Sequence, residues 1–304
     1  MTELSWPPEQ AHPADAGVRW TQPRSNICLD FHGDPVRAGA VLFSDGNHHM
    51  ALAECLQQFL IRHPAAQDVF YATTPPGVLL QWLDAGALHL GNLSLNLVPQ
   101  IIISPPAVLD RLVRAGRIGV HVPYMRSRGN VLLVCKGNPL GIRGIEDLVR
   151  SKARLFISNP ITESASYQVY ADTLKALAHQ GGTPFDWLDR PPGAQPDGRV
   201  VYGERIHHRE APQALADGRA DVALVYYHLA LRYARIFPER FEFVPVGGAP
   251  EHPEPGNQVS DFHLAMVGDG GAWGEVLREF LLGSETTEIY VRHGLQRLQI
   301  PERR

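Results

Sequence analysis

Short apolar runs alternate with segments of helical periodicity from residue 39 onward, and this alternation constrains the fold more than any other feature of the chain. Residues 40–43, 101–103 and 222–225 are each a few apolar residues long, which is the length of a buried strand. Amphipathic patterns at helical spacing lie between such runs. Repeated strand–helix–strand units predict an α/β protein with open, mostly parallel sheets that helices cover on both faces.

The composition excludes several classes of protein. The chain has 304 residues, of which 44% are hydrophobic and 20% charged, as is typical of a soluble globular protein. Its net charge of −4 and the absence of a long basic run argue against nucleic acid as a partner. No apolar stretch reaches the roughly 18 residues that span a bilayer, so direct membrane insertion is not expected. Cys28, Cys55 and Cys135 form no C-x-x-C pair and match no zinc pattern.

The sequence contains none of the compact catalytic motifs that would indicate a common enzyme class. It has no G-x-S-x-G, H-E-x-x-H, G-x-G-x-x-G or C-x-x-C segment. The glycine-rich stretch 268–271 lacks a following Lys-Ser/Thr pair and is therefore interpreted as a turn. No nucleophile can be paired with a base, so we expect neither an enzyme nor a cofactor.

Four strand-to-helix loops carry small hydroxyl or amide side chains, or imidazoles, at a predicted helix start. They are residues 44–49, 73–77, 158–166 and 206–209. Open parallel sheets bind ligands beyond the carboxyl ends of their strands. A helix N-terminus has about four unpaired N–H groups and roughly half a positive charge, so several converging ends favour an anion. Plain helix capping is the alternative, because Ser, Thr, Asn and Asp are preferred N-caps.

The order and spacing of several segments resemble the molybdate- and tungstate-binding branch of the type II periplasmic binding proteins, over about residues 39–297. The segments are Val41-Leu42-Phe43-Ser44, Thr73 to Gly86, Gly129 to Pro139, Ile157-Ser158-Asn159-Pro160, Gln213 to Tyr226 and Ser284 to Leu295. The segment 87–99 is longer than its counterpart in that family. The resemblance implies two lobes with a ligand cleft between them.

The domain boundaries follow from this resemblance. Residues 1–36 are rich in proline and polar residues and are predicted to form an N-terminal extension that is at best partly ordered. Lobe one is predicted to contain residues 37–128 and 246–304, and lobe two to contain residues 129–245.

The resemblance also implies where the ligand is bound. The first two hydroxyl ligands of the family fall near Asn47 and Gly77 here, and neither residue has a hydroxyl. Thr73 and Thr74 are therefore the nearby hydroxyl candidates. A main-chain amide, a tyrosine hydroxyl and a loop of small residues complete the implied set. Together with the loop side chains, the predicted ligand-binding residues are Ser44, Asn47, His48, Thr73, Thr74, Gly77, Ser164, Ser166, His208 and Tyr226.

Two adjacent histidine pairs, His48-His49 and His207-His208, fall in these loops on opposite lobes. Protonated imidazole binds anions and neutral imidazole binds transition metals, whereas a capping histidine does neither. Metal sites normally need three or four convergent ligands, so no metal is assigned.

The resulting hypothesis is a solute-binding protein that closes two lobes around a small anion. The anion is either a molybdate- or tungstate-like oxyanion or a compact organic acid, delivered to an ABC transporter permease. The alternatives are a cytoplasmic ligand sensor of the same fold and a metal-binding variant that uses the histidine pairs. The N-terminus reads MTELSWPPEQ and lacks the features of a signal peptide. We therefore expect a periplasmic protein if an export signal is missing from this sequence, and a cytoplasmic one otherwise.

Overall fold

The computed structural model describes residues 31–90, 93–183, 198–204 and 206–298. Cys28 and most of the predicted N-terminal extension lie outside these residues. The extension was predicted to run to residue 36, and this boundary is wrong because Phe31–His32 form a strand that pairs antiparallel with Val69–Thr73. The Phe31 ring is buried and lies 5.5 Å from the Trp82 ring, so apolar packing attaches this strand to the sheet.

The strands and helices of the described residues alternate along the chain. The strands are β1 Phe31–His32, β2 Ala40–Ser44, β3 Val69–Thr73, β4 Leu88–Leu90, β5 Leu93–Leu95, β6 Ile101–Ser104, β7 Ile118–Arg126, β8 Asn130–Cys135, β9 Leu155–Ile157, β10 Val200–Tyr202, β11 Val222–Tyr226, β12 Phe241–Pro245, β13 Gly248–Ala249, β14 His252–Pro253, β15 Asp261–Val267 and β16 Gln296–Arg297. The helices are α1 His49–Arg62, α2 Pro76–Ala85, α3 Pro106–Arg114, α4 Ile145–Arg150, α5 Ser164–Gln180, α6 His207–Ala216, α7 Tyr227–Ile236, α8 Gly274–Leu282 and α9 Ser284–Arg292.

Lobe one is built on a mixed sheet with the strand order β1-β3-β2-β6-β15-β7-β16. Strands β3, β2 and β6 run parallel, and β15 is antiparallel to both β6 and β7. Alternate residues of a strand point to opposite faces. Leu42 accordingly packs in one cluster with α1, α8 and α9, whereas Val41 and Phe43 pack against α2 on the other face.

Lobe two is built on a second mixed sheet with the order β10-β9-β11-β8-β12. The strands β10, β9 and β11 are parallel, and β8 runs antiparallel to β11 and β12. Every residue of β9 and β11 is buried, as expected for parallel strands covered on both faces.

The division between the lobes falls at residues 126/127 and 260/261. Among the described residues, lobe one takes 31–126 and 261–298, and lobe two takes 127–260. Residues 246–260 were predicted in lobe one but belong to lobe two. The reason is hydrogen bonding: Asn257 Nδ2 donates to the carbonyls of Val246 at 2.7 Å and Asn130 at 3.0 Å.

Two further features complete the fold. The long segment 87–99 contains a small antiparallel pair, in which Leu88 of β4 faces Leu95 of β5. In the part of the chain that the structure describes, no helix has the length and apolarity needed to cross a bilayer. The two mixed sheets with covering helices confirm the predicted α/β class.

Candidate functional site

Each of the three parallel strands in lobe one ends in a buried hydroxyl residue. Ser44 and Thr73 are register partners at the ends of β2 and β3, and Ser104 ends the adjoining strand β6. All three side chains are at most 1% exposed. The N–H of Thr74 donates to the Ser44 carbonyl at 3.0 Å, so this second threonine belongs to the same edge. The structure therefore places three predicted residues, Ser44, Thr73 and Thr74, side by side.

His48 is part of the packing beneath this edge. Its Nε2 lies 3.1 Å from Ser44 Oγ, and its Nδ1 lies 2.7 Å from the Tyr290 hydroxyl of α9. The ring is fully buried and sits 4.7 Å from the Phe262 ring. Because both ring nitrogens face protein side chains, His48 positions Ser44, and its predicted direct contact with ligand stays a prediction.

Asp45 follows Ser44 and is a buried acid in the same loop. Its Oδ1 accepts the Asn47 N–H at 3.1 Å, which caps the short 3-10 helix Gly46–His48. Its Oδ2 has no hydrogen-bond partner within the described residues. Burial raises the pKa of Asp45 to about 7. The side chain of the predicted ligand Asn47 is only half-buried, and its backbone is committed to this cap.

The helices α2 and α3 both begin with proline, which changes how they can bind a ligand. Pro76 and Pro106 occupy the first helical position and have no N–H. These helix starts therefore offer fewer donors than a typical N-terminus, and the neighbouring hydroxyls become more important. The predicted ligand Gly77 is exposed on α2, and a Cβ there would meet no atom within 4 Å.

Ser104 is a candidate that the sequence reasoning missed. Its hydroxyl is fully buried and is without a hydrogen-bond partner among the described residues. A signal was present, because Ser104-Pro105-Pro106 repeats the Thr74-Pro75-Pro76 pattern at the corresponding point of the next strand–helix unit. Comparing the two loops would have identified it.

Lobe two has its own cluster at the carboxyl ends of β9, β10 and β11. Glu163 Oε2 accepts the backbone N–H of His207 at 3.0 Å, which joins the starts of α5 and α6. This contact places Ser164 and Ser166 near His208. Ser164 is exposed, Ser166 and His208 are half-buried, and the His208 carbonyl accepts a hydrogen bond from the Tyr233 hydroxyl.

The electrostatics of this cluster favour neutral groups. Burial raises the pKa of the Glu163 carboxyl to about 7. Burial also lowers the pKa of His207 to about 3, and its ring stacks on Phe156 with centroids 5.2 Å apart. His207 is therefore a neutral, packed ring at physiological pH. Ser158 Oγ at the end of β9 is fully buried and lacks a hydrogen-bond partner in the described part of the chain.

Tyr226 ends β11 and is 2% exposed. Its hydroxyl lies 2.9 Å from Ser260 Oγ, the last residue of lobe two, and its ring packs against Tyr170 and His228. The resemblance implies that this hydroxyl donates to ligand. The structure shows it bonded to the segment that leaves the lobe, so a role in ligand contact remains a prediction.

We expect Tyr226→Phe and Ser260→Ala each to lower the free energy of unfolding by about 1 kcal/mol, because each removes one partner of the same hydrogen bond. The double variant should then cost little more than either single variant, a coupling of about 0.5–1.5 kcal/mol in a double-mutant cycle. Urea unfolding measures all four proteins. Fully additive losses would show that the two hydroxyls do not interact.

The structure also addresses the metal alternative. Within the described ranges, no group of three or more His, Cys, Asp or Glu side chains is arranged to hold a metal ion. His48 and His207 are both buried among aromatic rings. The surroundings of the adjacent histidine pairs therefore do not support a metal site there.

The family is decided by sequence comparison. A model of the bacterial extracellular solute-binding proteins matches residues 40–296, which is most of the chain. The chain belongs to that family. It is thus a solute-binding protein of the ABC-transporter type, which implies a ligand and a transporter partner and confirms that the chain is not an enzyme. No curated protein matches the sequence of this solute-binding protein.

Solved structures agree with this assignment at the level of the fold. The periplasmic molybdate-binding protein of Azotobacter vinelandii is 15% identical with a TM-score of 0.58, covering 86% of this chain and 100% of that one. The sulfate-binding protein SubI of Mycobacterium tuberculosis is 17% identical with a TM-score of 0.61, covering 86% and 87%. L-phospholactate-bound PEB3, a protein of Campylobacter jejuni, is 16% identical with a TM-score of 0.58, covering 85% and 100%. These likenesses confirm the two-lobed fold of the type II periplasmic binding proteins.

Proposed function

We propose that this solute-binding protein captures a small anion and delivers it to an ABC transporter permease. The ligand class is a molybdate- or tungstate-like oxyanion or a compact organic acid. The observation that carries the proposal is that each of the three parallel strands of lobe one ends in a buried hydroxyl residue, Ser44, Thr73 or Ser104. Ser104 supports it most directly, because its buried hydroxyl has no hydrogen-bond partner among the described residues.

Neutral donors of this kind suit an anion. A hydroxyl hydrogen bond to a charged group is stronger than one to a neutral group, and it is shorter as well. Asp45 is a buried acidic residue directly after Ser44, and its pKa of about 7 leaves it protonated in mildly acidic solution. It then carries no charge that would repel an anion. The fold neighbours named for molybdate, sulfate and L-phospholactate point to the same class of ligand.

The compartment follows from the family. Because the family is extracellular, we propose that the protein works in the periplasm, in preference to acting as a cytoplasmic sensor. Fractionation of cells that express the full-length gene from its own promoter tests this point.

A thermal-shift screen identifies the ligand class. The screen should include molybdate, tungstate, sulfate, phosphate and small carboxylates such as lactate and phospholactate. A ligand at about 100 times its dissociation constant adds about 2.7 kcal/mol to the stability of the folded protein, which shifts the melting temperature measurably. A complete absence of shifts with all these anions, together with a shift by a neutral or cationic solute, would refute the proposal.

We expect Ser104→Ala to weaken binding of the anion found in that screen about tenfold to a hundredfold. The reason is the loss of one hydrogen bond to a charged group, which is worth about 1.5–3 kcal/mol. Folding stability should change little, because no hydrogen bond within the described structure is removed. The matched control is Ser94→Ala at an exposed strand position, which should bind like wild type. Calorimetric affinities that are equal for Ser104→Ala and wild type would remove Ser104 from the site.

A further inference from the structure

Two histidines on neighbouring strands of lobe one face each other outside the predicted ligand loops. His121 lies on β7 and His263 on β15, and their Nδ1 atoms are 2.7 Å apart. The ring planes are inclined at 62° with centroids 4.8 Å apart, so the nitrogens converge edge to edge. Behind them, Asp110 of α3 places Oδ1 at 3.1 Å from His121 Nε2.

This arrangement fixes the hydrogen positions of one ring. A carboxylate only accepts hydrogen bonds, so the Nε2 of His121 is the protonated nitrogen. The Nδ1 lone pair of a neutral His121 then points at His263. A metal-binding imidazole is usually supported in this way: a carboxylate accepts a hydrogen bond from one ring nitrogen, and the other ring nitrogen faces the metal.

The distance between the two nitrogens discriminates among metal ions. With metal–nitrogen bonds of about 2.0 Å, a separation of 2.7 Å corresponds to an angle of about 85° at the metal. A tetrahedral ion needs about 3.3 Å between the nitrogens at that bond length, so Zn²⁺ would have to spread the rings. Square-planar and tetragonal ions accept angles near 90°, and among divalent ions Cu²⁺ also binds nitrogen ligands most tightly.

The site is accessible but incomplete. Side-chain exposure is 15% for His121 and 54% for Asp110, so an ion can reach the rings from solvent. The described residues contain no third histidine, cysteine or carboxylate in position to complete a protein cage. The remaining positions of a bound ion would therefore be filled by water, which Cu²⁺ accepts.

We propose that His121 and His263 form a two-imidazole site for a divalent transition-metal ion with ligand angles near 90°, with Cu²⁺ as the best fit and Asp110 as the positioning residue. To bind the ion, His263 moves its proton from Nδ1 to Nε2, so two neutral rings present two lone pairs and no net proton is released. This site uses none of the side chains of the proposed anion site, although His263 is the register partner of Ser104 on the neighbouring strand.

The test is electron paramagnetic resonance of the full-length protein with one equivalent of Cu²⁺. All proteins carry Cys28→Ser and Cys135→Ser, so that neither thiol reduces copper. We expect hyperfine structure from two nitrogens, which His121→Ala and His263→Ala each abolish. Asp110→Asn keeps both rings and should weaken Cu²⁺ binding about 10- to 100-fold in competition with a chelator.

The exposed His252 provides the matched control, and His252→Ala should leave the spectrum and affinity unchanged. Circular dichroism of each variant confirms that the protein is folded. A wild-type spectrum that persists in both His121→Ala and His263→Ala would overturn the proposal. So would a wild-type protein that shows a single bound nitrogen, or Asp110→Asn with wild-type Cu²⁺ affinity.

Discussion

Replacing Asn257 by alanine is expected to lower the free energy of unfolding by about 3 kcal/mol or more. The buried Asn257 side chain accepts the Asn130 N–H at 2.7 Å and donates to the carbonyls of Asn130 and Val246. Alanine would leave these backbone groups buried without partners, at about 1–3 kcal/mol for each group. Guanidinium or urea unfolding of lobe-two signals measures the loss.

The local geometry leaves little space for another group to satisfy these backbone groups in Asn257→Ala. Gly129 has a φ of +72°, and a Cβ at that position would lie 2.8 Å from the Asn257 side chain. The backbone therefore passes close enough to the Asn257 side chain for both its oxygen and its nitrogen to form hydrogen bonds with Asn130. Gln180→Ala is the matched control, because this exposed amide donates to a single carbonyl, that of Pro255. If Asn257→Ala loses no more stability than Gln180→Ala, the network does not hold residues 246–260 in lobe two.

The fold was predictable because its signals are local and repeated. The apolar runs at 40–43, 101–103 and 222–225 became fully buried strands, and helices follow them as the periodicity indicated. Chain order accounts for the parallel strands of each sheet, but the sheets are mixed rather than mostly parallel, because the other strands pair antiparallel. The type II periplasmic-binding-protein resemblance, drawn from segment order and spacing, is confirmed by the family match over residues 40–296.

The elements that escaped prediction depend on distant partners. Phe31–His32 and Gln296–Arg297 are two residues long and carry no periodicity of their own. Each becomes a strand only because an edge is available, on β3 for the first and on β7 for the second. The assignment of residues 246–260 to lobe two depends likewise on side-chain contacts of Asn257, which a linear pattern does not reveal.

The candidate site shows the same division between local and tertiary information. The sheet edge and the residues Ser44, Thr73 and Thr74 could be named because each lies at the end of a strand or directly after it. The surroundings of each side chain could not: Tyr290 reaches His48 from the far end of the chain, and Ser260 meets the Tyr226 hydroxyl. These contacts decide whether a loop residue is available to a ligand or already engaged.

The pH dependence of stability should reveal Asp45, whose variant Asp45→Asn is expected to be more stable than wild type at pH 8. Burial raises the folded-state pKa from 3.8 to about 7, so the folded protein holds a proton that the unfolded chain releases. Stability therefore falls as pH rises from about 4 to about 7 and is level above that range. Over this pH interval the free energy of unfolding falls by about 4 kcal/mol, at about 1.4 kcal/mol per pH unit. Asparagine keeps the acceptor for the Asn47 N–H without the buried charge.

Asp221 supplies the control with the opposite sign. It accepts hydrogen bonds from the backbone and guanidinium of Arg154, and these bonds lower its pKa. Asp221→Asn should therefore be less stable than wild type at neutral pH, with the deficit vanishing as pH falls below 3.8 through the folded-state pKa. Glu163 and His207 titrate equally in all three proteins, so their contributions cancel in the differences. Urea midpoints between about pH 2 and pH 8 measure both variants, since the Asp221 effect lies below pH 3.8 and the Asp45 effect above it. If the difference between Asp45→Asn and wild type does not grow with pH, the Asp45 carboxyl is not held protonated by burial, and it would then oppose an anion at the neighbouring hydroxyls throughout that range.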